Sequence, residues 1–230
     1  MRNFFKKYGH AWTLLYVLIY MPWFAWLEAS VKSYTVIHVR FDDMIPFCEY
    51  FVIPYFIWFA YVPVVMMFVF FTSKKEFYQA SAYLFIGMTI CLLICTIWPN
   101  GQDLRITVID GGIFAGIVKS LYTADTNTNV FPSIHVFNSL GVFIILCKSE
   151  KMKKHYVIKT GAGILSFLII LSTMFLKQHS IVDVIGGIIL GIIMYVGVYV
   201  VDYSKVIEMI KIQMKGKRYK EDSYESRNGI

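Results

Sequence analysis

Long, unbroken apolar runs constrain the fold of this chain more than any other feature of its sequence. A helix needs about 20 consecutive apolar residues to cross the hydrocarbon core of a bilayer. Six runs approach or reach that length: residues 11–28, 50–71, 81–98, 132–147, 157–176 and 181–201. With 57% hydrophobic and 16% charged residues, the chain of 230 residues is too apolar for a soluble domain. The sequence therefore predicts an all-α, polytopic membrane protein with six transmembrane helices in one bundle.

The fourth run is short and begins with polar side chains. Ser133, His135 and Asn138 lie in its first turns, and polar groups are costly where they face lipid. We therefore expect this helix to line the protein interior. One membrane domain covers residues 1–204, and the basic segment from 205 to 230 is predicted to form a cytoplasmic tail.

The distribution of basic residues predicts the orientation of the chain. Lys and Arg are enriched in cytoplasmic loops of membrane proteins. If the N-terminus is cytoplasmic, only five of the 22 Lys and Arg residues face outward: Lys32, Arg40, Arg105, Lys119 and Lys177. Both termini are therefore expected on the cytoplasmic side of the cell membrane. The net charge of +7 is explained by this topology, and nucleic-acid binding is not expected.

In this topology, three polar clusters fall on the extracytoplasmic side. They are Arg105, the segment Pro132–His135, and the pair His179 and Asp183. Ionisable groups at a membrane boundary are expensive and usually functional. Their convergence on one face predicts an enzyme active site outside the cytoplasm.

The pair His179 and Asp183 is spaced by four residues, so both side chains share one helix face. A carboxylate one turn from an imidazole can orient the ring and stabilise its charged form. Alternatively, Asp183 only stabilises the positive end of the helix dipole. Both interpretations are compatible with the sequence.

The other polar residues also have a functional and a structural interpretation. Ser133 could donate to a phosphate and His135 could protonate a leaving group, or the two could form an ordinary helix start. Arg105 has a fork of donors suited to phosphate, or it is a solvated loop residue. Lys177 is a further possible phosphate contact, or an anchor at the membrane interface. The four cysteines and the carboxylates show no metal-type spacing, so no metal or other cofactor is expected.

The order of these residues resembles the type-2 phosphatidic acid phosphatase (lipid phosphate phosphatase) superfamily. Its three motifs are Lys-x6-Arg-Pro, Pro-Ser-Gly-His and Ser-Arg-x5-His-x3-Asp, and its members share the six-helix layout. This chain departs from the motifs at four positions: Trp98 for lysine, Ile106 for proline, Ile134 for glycine and Thr173 for arginine. The aliphatic residue Ile134 at the third position of the second motif is similar to the inositol phosphorylceramide synthase-like branch of the superfamily. The segment that begins at Asp42 also resembles that branch.

The resemblance implies a role for each matching residue. His179 would attack phosphorus to form a phosphohistidine, Asp183 would orient it, and His135 would act as general acid and base. Arg105, Ser133 and Lys177 would bind the phosphate oxygens.

Three functions remain open at this stage, and the first is favoured because water is the default acceptor where no acceptor pocket can be identified. The first is a lipid phosphate or pyrophosphate phosphatase whose substrate is a phospholipid or a prenyl (pyro)phosphate. The second is a phospho-headgroup transferase that uses an alcohol acceptor. The third is a non-catalytic lipid-binding or transport protein.

Overall fold

The computed structural model describes residues 8–107 and 111–203 of the chain. Within these residues the chain forms eight α-helices, labelled α1 to α8 in order: Val17–Ser30, Arg40–Met44, Val52–Thr72, Lys74–Ile97, Ile113–Ala124, Ile134–Lys148, Tyr156–Phe175 and Ile181–Tyr195. The 3-10 segments Gly9–Tyr16, Glu49–Phe51 and Glu150–Met152 precede α1, α3 and α7, and the π-helical segment Val196–Val200 follows α8. Two short strands, β1 (Thr35–Val36) and β2 (Asn100–Gly101), pair in parallel.

Four helical segments among the described residues are long and apolar enough to cross a membrane. They are Glu49–Thr72, Lys74–Ile97, Tyr156–Phe175 and Ile181–Val200, and they correspond to the second, third, fifth and sixth apolar runs. The first run forms a 3-10 segment followed by a helix of 14 residues, and the fourth forms α6, with 15 residues. The mostly helical membrane fold is confirmed, whereas the count of six spans and the orientation of the termini stay predictions.

Helix α6 lies at the centre of the bundle. It packs against α3, α4, α7 and α8, and Val136, Phe137 and Val142 are completely buried. The short fourth run therefore lines the protein interior, as its polar start indicated. Because α6 carries Ser133 and His135 at its beginning, its central position places these residues among the neighbouring helices.

Glycines let two helices approach α6 closely. A Cβ atom on Gly87 of α4 would lie 2.0 Å from the ring of Phe137, and one on Gly187 of α8 would lie 2.8 Å from the carbonyl oxygen of Ser133. Small residues at such contacts are a common means of close helix packing in membranes. The contact at Gly187 brings the beginnings of α6 and α8 together, at the end of the bundle where His135 and His179 lie.

Loops at this end of the bundle are joined by hydrogen bonds. The side-chain oxygen of the buried Asn100 accepts from the backbone N–H groups of Val130 (2.9 Å) and Phe131 (2.8 Å). His38 lies 2.8 Å from Asp103 and 2.9 Å from Asp43. The bonds of Asn100 hold the segment before α6, where they satisfy buried backbone N–H groups. The contacts of His38 join the loop before α2 to the loop after β2.

The chain divides into two compact units, Met1–Val198 and Tyr199–Ile230. The first contains the helices α1 to α8. Of the second, the structure describes residues 199–203. The predicted cytoplasmic tail at residues 205–230 lies outside the described residues, so the predicted boundary at residue 204 stays a prediction.

Candidate active site

His179 and Asp183 occupy the N-terminal end of α8. Ser180 is the N-cap residue, and its backbone N–H donates to Oδ2 of Asp183 at 2.9 Å. Nδ1 of His179 lies 3.4 Å from the same oxygen. Asp183 is completely buried and His179 is 7% exposed. Asp183 therefore caps the helix start and also faces the imidazole, so that Nε2 of His179 lies on the side of the ring away from Asp183. The catalytic role of this pair stays a prediction.

His135 lies in the first turn of α6, next to His179. The centroids of the two rings are 5.6 Å apart. On its other sides His135 contacts aromatic rings, with centroid distances of 4.7 Å to Tyr55 and 4.3 Å to Trp58. Nδ1 of His135 is buried and has no hydrogen-bond partner among the described residues. The structure thus brings the two predicted catalytic histidines together, and Nδ1 of His135 is a buried polar atom without a partner among the described residues.

Ser133 is the N-cap residue of α6 and is completely buried. Its hydroxyl oxygen accepts from the backbone N–H of Val136 at 3.5 Å, and its own N–H donates to the carbonyl oxygen of Asp183 at 3.0 Å. The side chain therefore serves as a helix cap in this structure. Its backbone bond to Asp183 joins the starts of α6 and α8.

Arg105 binds protein oxygens with most of its donors. Nη1 donates to the carbonyl oxygens of Tyr122 and Asp125, and Nη2 donates to the carbonyl oxygen of Thr126 and the side-chain oxygen of Gln178. The four N···O distances are 2.6–3.0 Å. The guanidinium also stacks 4.7 Å above the ring of Tyr122. The fifth donor, Nε, is buried and has no partner among the described residues. Burial lowers the pKa of the guanidinium.

Lys177 follows the end of α7 with a left-handed backbone, at φ 53°. Its ammonium donates to the carbonyl oxygen of Asp42 at 2.7 Å, and the residue is 8% exposed. The charge is therefore buried beside the loop that carries α2. The phosphate-binding roles of Arg105, Ser133 and Lys177 stay predictions, but each of these side chains already has a partner within the protein.

Two further residues complete this region. Tyr55 of α3 packs against His135, and its hydroxyl donates to Oδ2 of Asp125 at 3.4 Å. Burial raises the pKa of the Asp125 carboxyl, and the charge of Arg105 partly offsets this effect. No spacing in the sequence indicated either residue, because Tyr55 lies within an apolar run and Asp125 in a loop 70 residues away.

No group of three or more His, Cys, Asp or Glu side chains that could hold a metal ion occurs within residues 8–107 and 111–203.

Comparison with protein-family models gives a match to part of the chain. The family model of the PAP2 superfamily matches residues 113–206, a region that begins with α5 and includes Ser133, His135, Lys177, His179 and Asp183. Arg105 precedes the matched region. Searches of curated proteins and of solved structures returned no match.

Members of the PAP2 superfamily are phosphatases that act on phosphorylated lipids, which supports phosphoester hydrolysis by a membrane protein. The matched region contains both histidines of the site described above and the carboxylate that faces one of them. The resemblance to this superfamily drawn from the motifs is confirmed by the match at residues 113–206, whereas the inositol phosphorylceramide synthase-like branch stays a prediction.

Proposed function

We propose that this protein is a membrane-embedded lipid phosphate or pyrophosphate phosphatase that works through a phosphohistidine intermediate. The observation that carries the proposal is the pair of buried histidines, with ring centroids 5.6 Å apart, of which His179 faces the carboxylate of Asp183. A nucleophile with an orienting carboxylate, next to a separate acid, is the arrangement that covalent phosphoryl transfer needs.

In the first step, Nε2 of His179 attacks the phosphorus atom of the substrate. The new N–P bond forms while the P–O bond to the leaving group breaks, and His135 gives its proton to the departing oxygen. The leaving group is the lipid alcohol of a lipid phosphate, or the lipid monophosphate of a lipid pyrophosphate. Nδ1–H of His179 donates to Asp183, whose negative charge stabilises the positive charge that develops on the ring.

In the second step, water attacks the phosphorus atom of the phosphohistidine. His135 takes a proton from that water, the N–P bond breaks, and inorganic phosphate leaves with His179 restored. Backbone N–H groups at the start of α6 would stabilise the equatorial oxygens. The proposed contribution of Arg105 is its positive charge and its unpaired Nε, since its other donors already bind protein oxygens.

The surroundings of the histidines suit a lipid substrate. Tyr55 and Trp58 cover His135 with aromatic surface, and the site lies where α3 and α8, both candidate membrane spans, begin. A headgroup phosphate at the membrane boundary can reach this level while its apolar chain stays in the bilayer. With the termini in the cytoplasm, as the basic residues predict, the site would face the extracytoplasmic side of the cell membrane.

A phospho-headgroup transferase is the second candidate. It shares the first step and differs in the acceptor, which is an alcohol instead of water. The changed phosphate motifs favour it: Trp98 and Thr173 occupy the two positions where the superfamily motifs have cations. Both side chains bind within the protein, since Trp98 donates to the hydroxyl of Thr35 and Thr173 to a carbonyl of α7.

The two candidates are separated by their products. Purified protein would be incubated with phosphatidic acid, phosphatidylglycerol phosphate and undecaprenyl pyrophosphate, each with and without inositol or glycerol. Release of inorganic phosphate supports the phosphatase, and a phosphate ester of the added inositol or glycerol supports the transferase. A folded protein that forms neither product would refute both.

A pair of histidine variants tests the nucleophile. His179→Ala should abolish turnover and the acid-labile phosphoenzyme that is trapped with ³²P-labelled substrate. His155→Ala is the matched control, because His155 is exposed at the start of α7, and it should keep wild-type activity. Turnover at the wild-type rate in His179→Ala would refute the assignment.

A further inference from the structure

Asp42 is a buried carboxylate outside the three superfamily motifs. It lies in the short helix α2 and is 2% exposed. One oxygen of its side chain accepts from the hydroxyl of Ser180 at 2.7 Å and from the N–H of Val39 at 2.9 Å. The other accepts from the N–H of Ile181 at 2.8 Å. Its backbone carbonyl accepts from the ammonium of Lys177 at 2.7 Å.

Three of these four partners lie on either side of the proposed nucleophile. Lys177 precedes His179 by two residues, while Ser180 and Ile181 follow it directly. The left-handed backbone of Lys177, at φ 53°, is unfavourable for a residue with a Cβ atom and persists where surrounding contacts impose it. On the side of α7, the N–H groups of Gln178 and His179 donate to the carbonyl oxygen of Thr173. The loop that carries His179 is thus held between α7 and Asp42.

A continuous series of hydrogen bonds connects Asp42 to the nucleophile. Its carboxylate binds the hydroxyl of Ser180, the N–H of Ser180 binds Asp183, and Asp183 faces Nδ1 of His179. The N–H of Ile181 is one of the first donors of α8, which have no partner within their own helix. A negative charge at this point also stabilises the helix N-terminus.

We infer that Asp42 is a positioning residue for the reaction at His179. It holds the backbone before and after the nucleophile, so that Nε2 stays aligned with the phosphorus atom. This inference rests on the proposed function. Misplacement of a reacting group by about 1 Å can lower a rate by about 100-fold. Loss of the Asp42 contacts should therefore lower kcat, with little change in KM, since Asp42 does not touch the substrate.

The test variant is Asp42→Asn, which keeps the size of the side chain but removes its charge. An amide has one acceptor oxygen, so it cannot serve Val39, Ser180 and Ile181 together. The matched control is Asp43→Asn on the adjacent residue. The side chain of Asp43 is 64% exposed and pairs with His38, and none of its contacts among the described residues involves the segment of His179.

Two measurements would be made on the full-length protein in detergent. The first is the steady-state kinetics of phosphate release. The second is amide hydrogen exchange across residues 176–184, which reports the order of the loop independently of activity. We expect Asp42→Asn to lower kcat by about 10- to 100-fold, to leave KM within about twofold, and to speed exchange in this segment. Asp43→Asn should leave both kcat and the exchange rate of this segment at their wild-type values.

A double-mutant cycle tests whether the effect runs through Ser180. If Asp42 acts through the hydroxyl of Ser180, the loss of kcat in Asp42→Asn should be smaller when Ser180→Ala is already present. Additive effects would contradict this route. Should Asp42→Asn fail to fold, Ser180→Ala alone must lower kcat, and a wild-type kcat in that variant would overturn the inference.

The remaining outcomes separate this inference from the proposed function. Faster exchange with an unchanged kcat would show a purely structural role for Asp42 and overturn the inference. Unchanged exchange and an unchanged kcat would overturn it as well. A folded wild-type protein without activity on any substrate would refute the proposed function. The exchange data would then show independently whether Asp42 orders the loop that carries His179.

Discussion

Arg105 is expected to stabilise the fold even when no substrate is bound. A phosphate-binding arginine usually points into an open site, where its charge is uncompensated until the ligand arrives. Here four donors of Arg105 already bind three backbone carbonyls and Gln178. We therefore predict that Arg105→Ala destabilises the substrate-free protein, because these acceptors lose their partners.

The size of the effect follows from these four bonds. A hydrogen bond to a charged group contributes about 1.5–3 kcal/mol when both partners are well shielded. Three of the four bonds are only partly buried and one is exposed, and bonds that share one side chain are not additive. A loss of roughly 3–5 kcal/mol in unfolding free energy is expected, which lowers Tm by roughly 6–20 °C in a chain of this length.

Thermal unfolding of the purified protein, followed by tryptophan fluorescence, would measure this change. Arg40→Ala is the matched control, since Arg40 is an exposed arginine on the same side of the bundle, and it should alter unfolding by no more than about 0.5 kcal/mol. Arg105→Lys should recover only part of the loss, because an ammonium lacks the planar fork of five donors. A wild-type Tm in Arg105→Ala would refute the structural role.

The remaining predictions concern pH and helix packing. The hydrogen bond with Asp43 raises the pKa of His38, which also binds Asp103. The stability that protonated His38 contributes is therefore fully present below about pH 6.5 and is lost as pH rises through the raised pKa. His38→Gln should remove this pH dependence from a series of unfolding curves, and an unchanged pH dependence would exclude His38 as its source. Gly187→Ala should cost about 1–3 kcal/mol, because its Cβ would meet a backbone oxygen of α6 at 2.8 Å. A Cβ atom on Gly161 of α7 would meet open space, so Gly161→Ala should raise the unfolding free energy by up to about 1 kcal/mol. Equal melting temperatures for Gly187→Ala and Gly161→Ala would contradict the close packing of α8 on α6.

Part of the site could be predicted from local spacing. Asp183 follows His179 by four residues, and a helix brings such residues together whatever surrounds them. The motif order also indicated that His135 belongs with this pair. Local spacing could not decide how Arg105 is used, because its acceptors lie 17 to 73 residues away along the chain. The interpretation as a solvated loop residue is wrong, since the guanidinium binds four protein oxygens.

Residues without a motif could be found only in the folded protein. Tyr55 contacts His135 across 80 residues, and Asp42 binds Ser180 across 138 residues. An aromatic residue in an apolar run is indistinguishable in sequence from one that faces lipid. Asp42 was indicated by the resemblance to one branch of the superfamily, but nothing in its sequence neighbourhood predicted contact with the loop of His179.

The amino-acid sequence by itself determined the mostly helical membrane fold and the pairing of His179 with Asp183. Both depend on short-range physics: a backbone in lipid must satisfy its own hydrogen bonds, and one helical turn sets the distance between residues four apart. The tertiary structure alone decided how closely His135 approaches His179, that Arg105 binds loop carbonyls, and that Asp42 binds the loop of His179. These contacts join segments far apart in the chain, so they depend on how the helices pack and not on any local pattern.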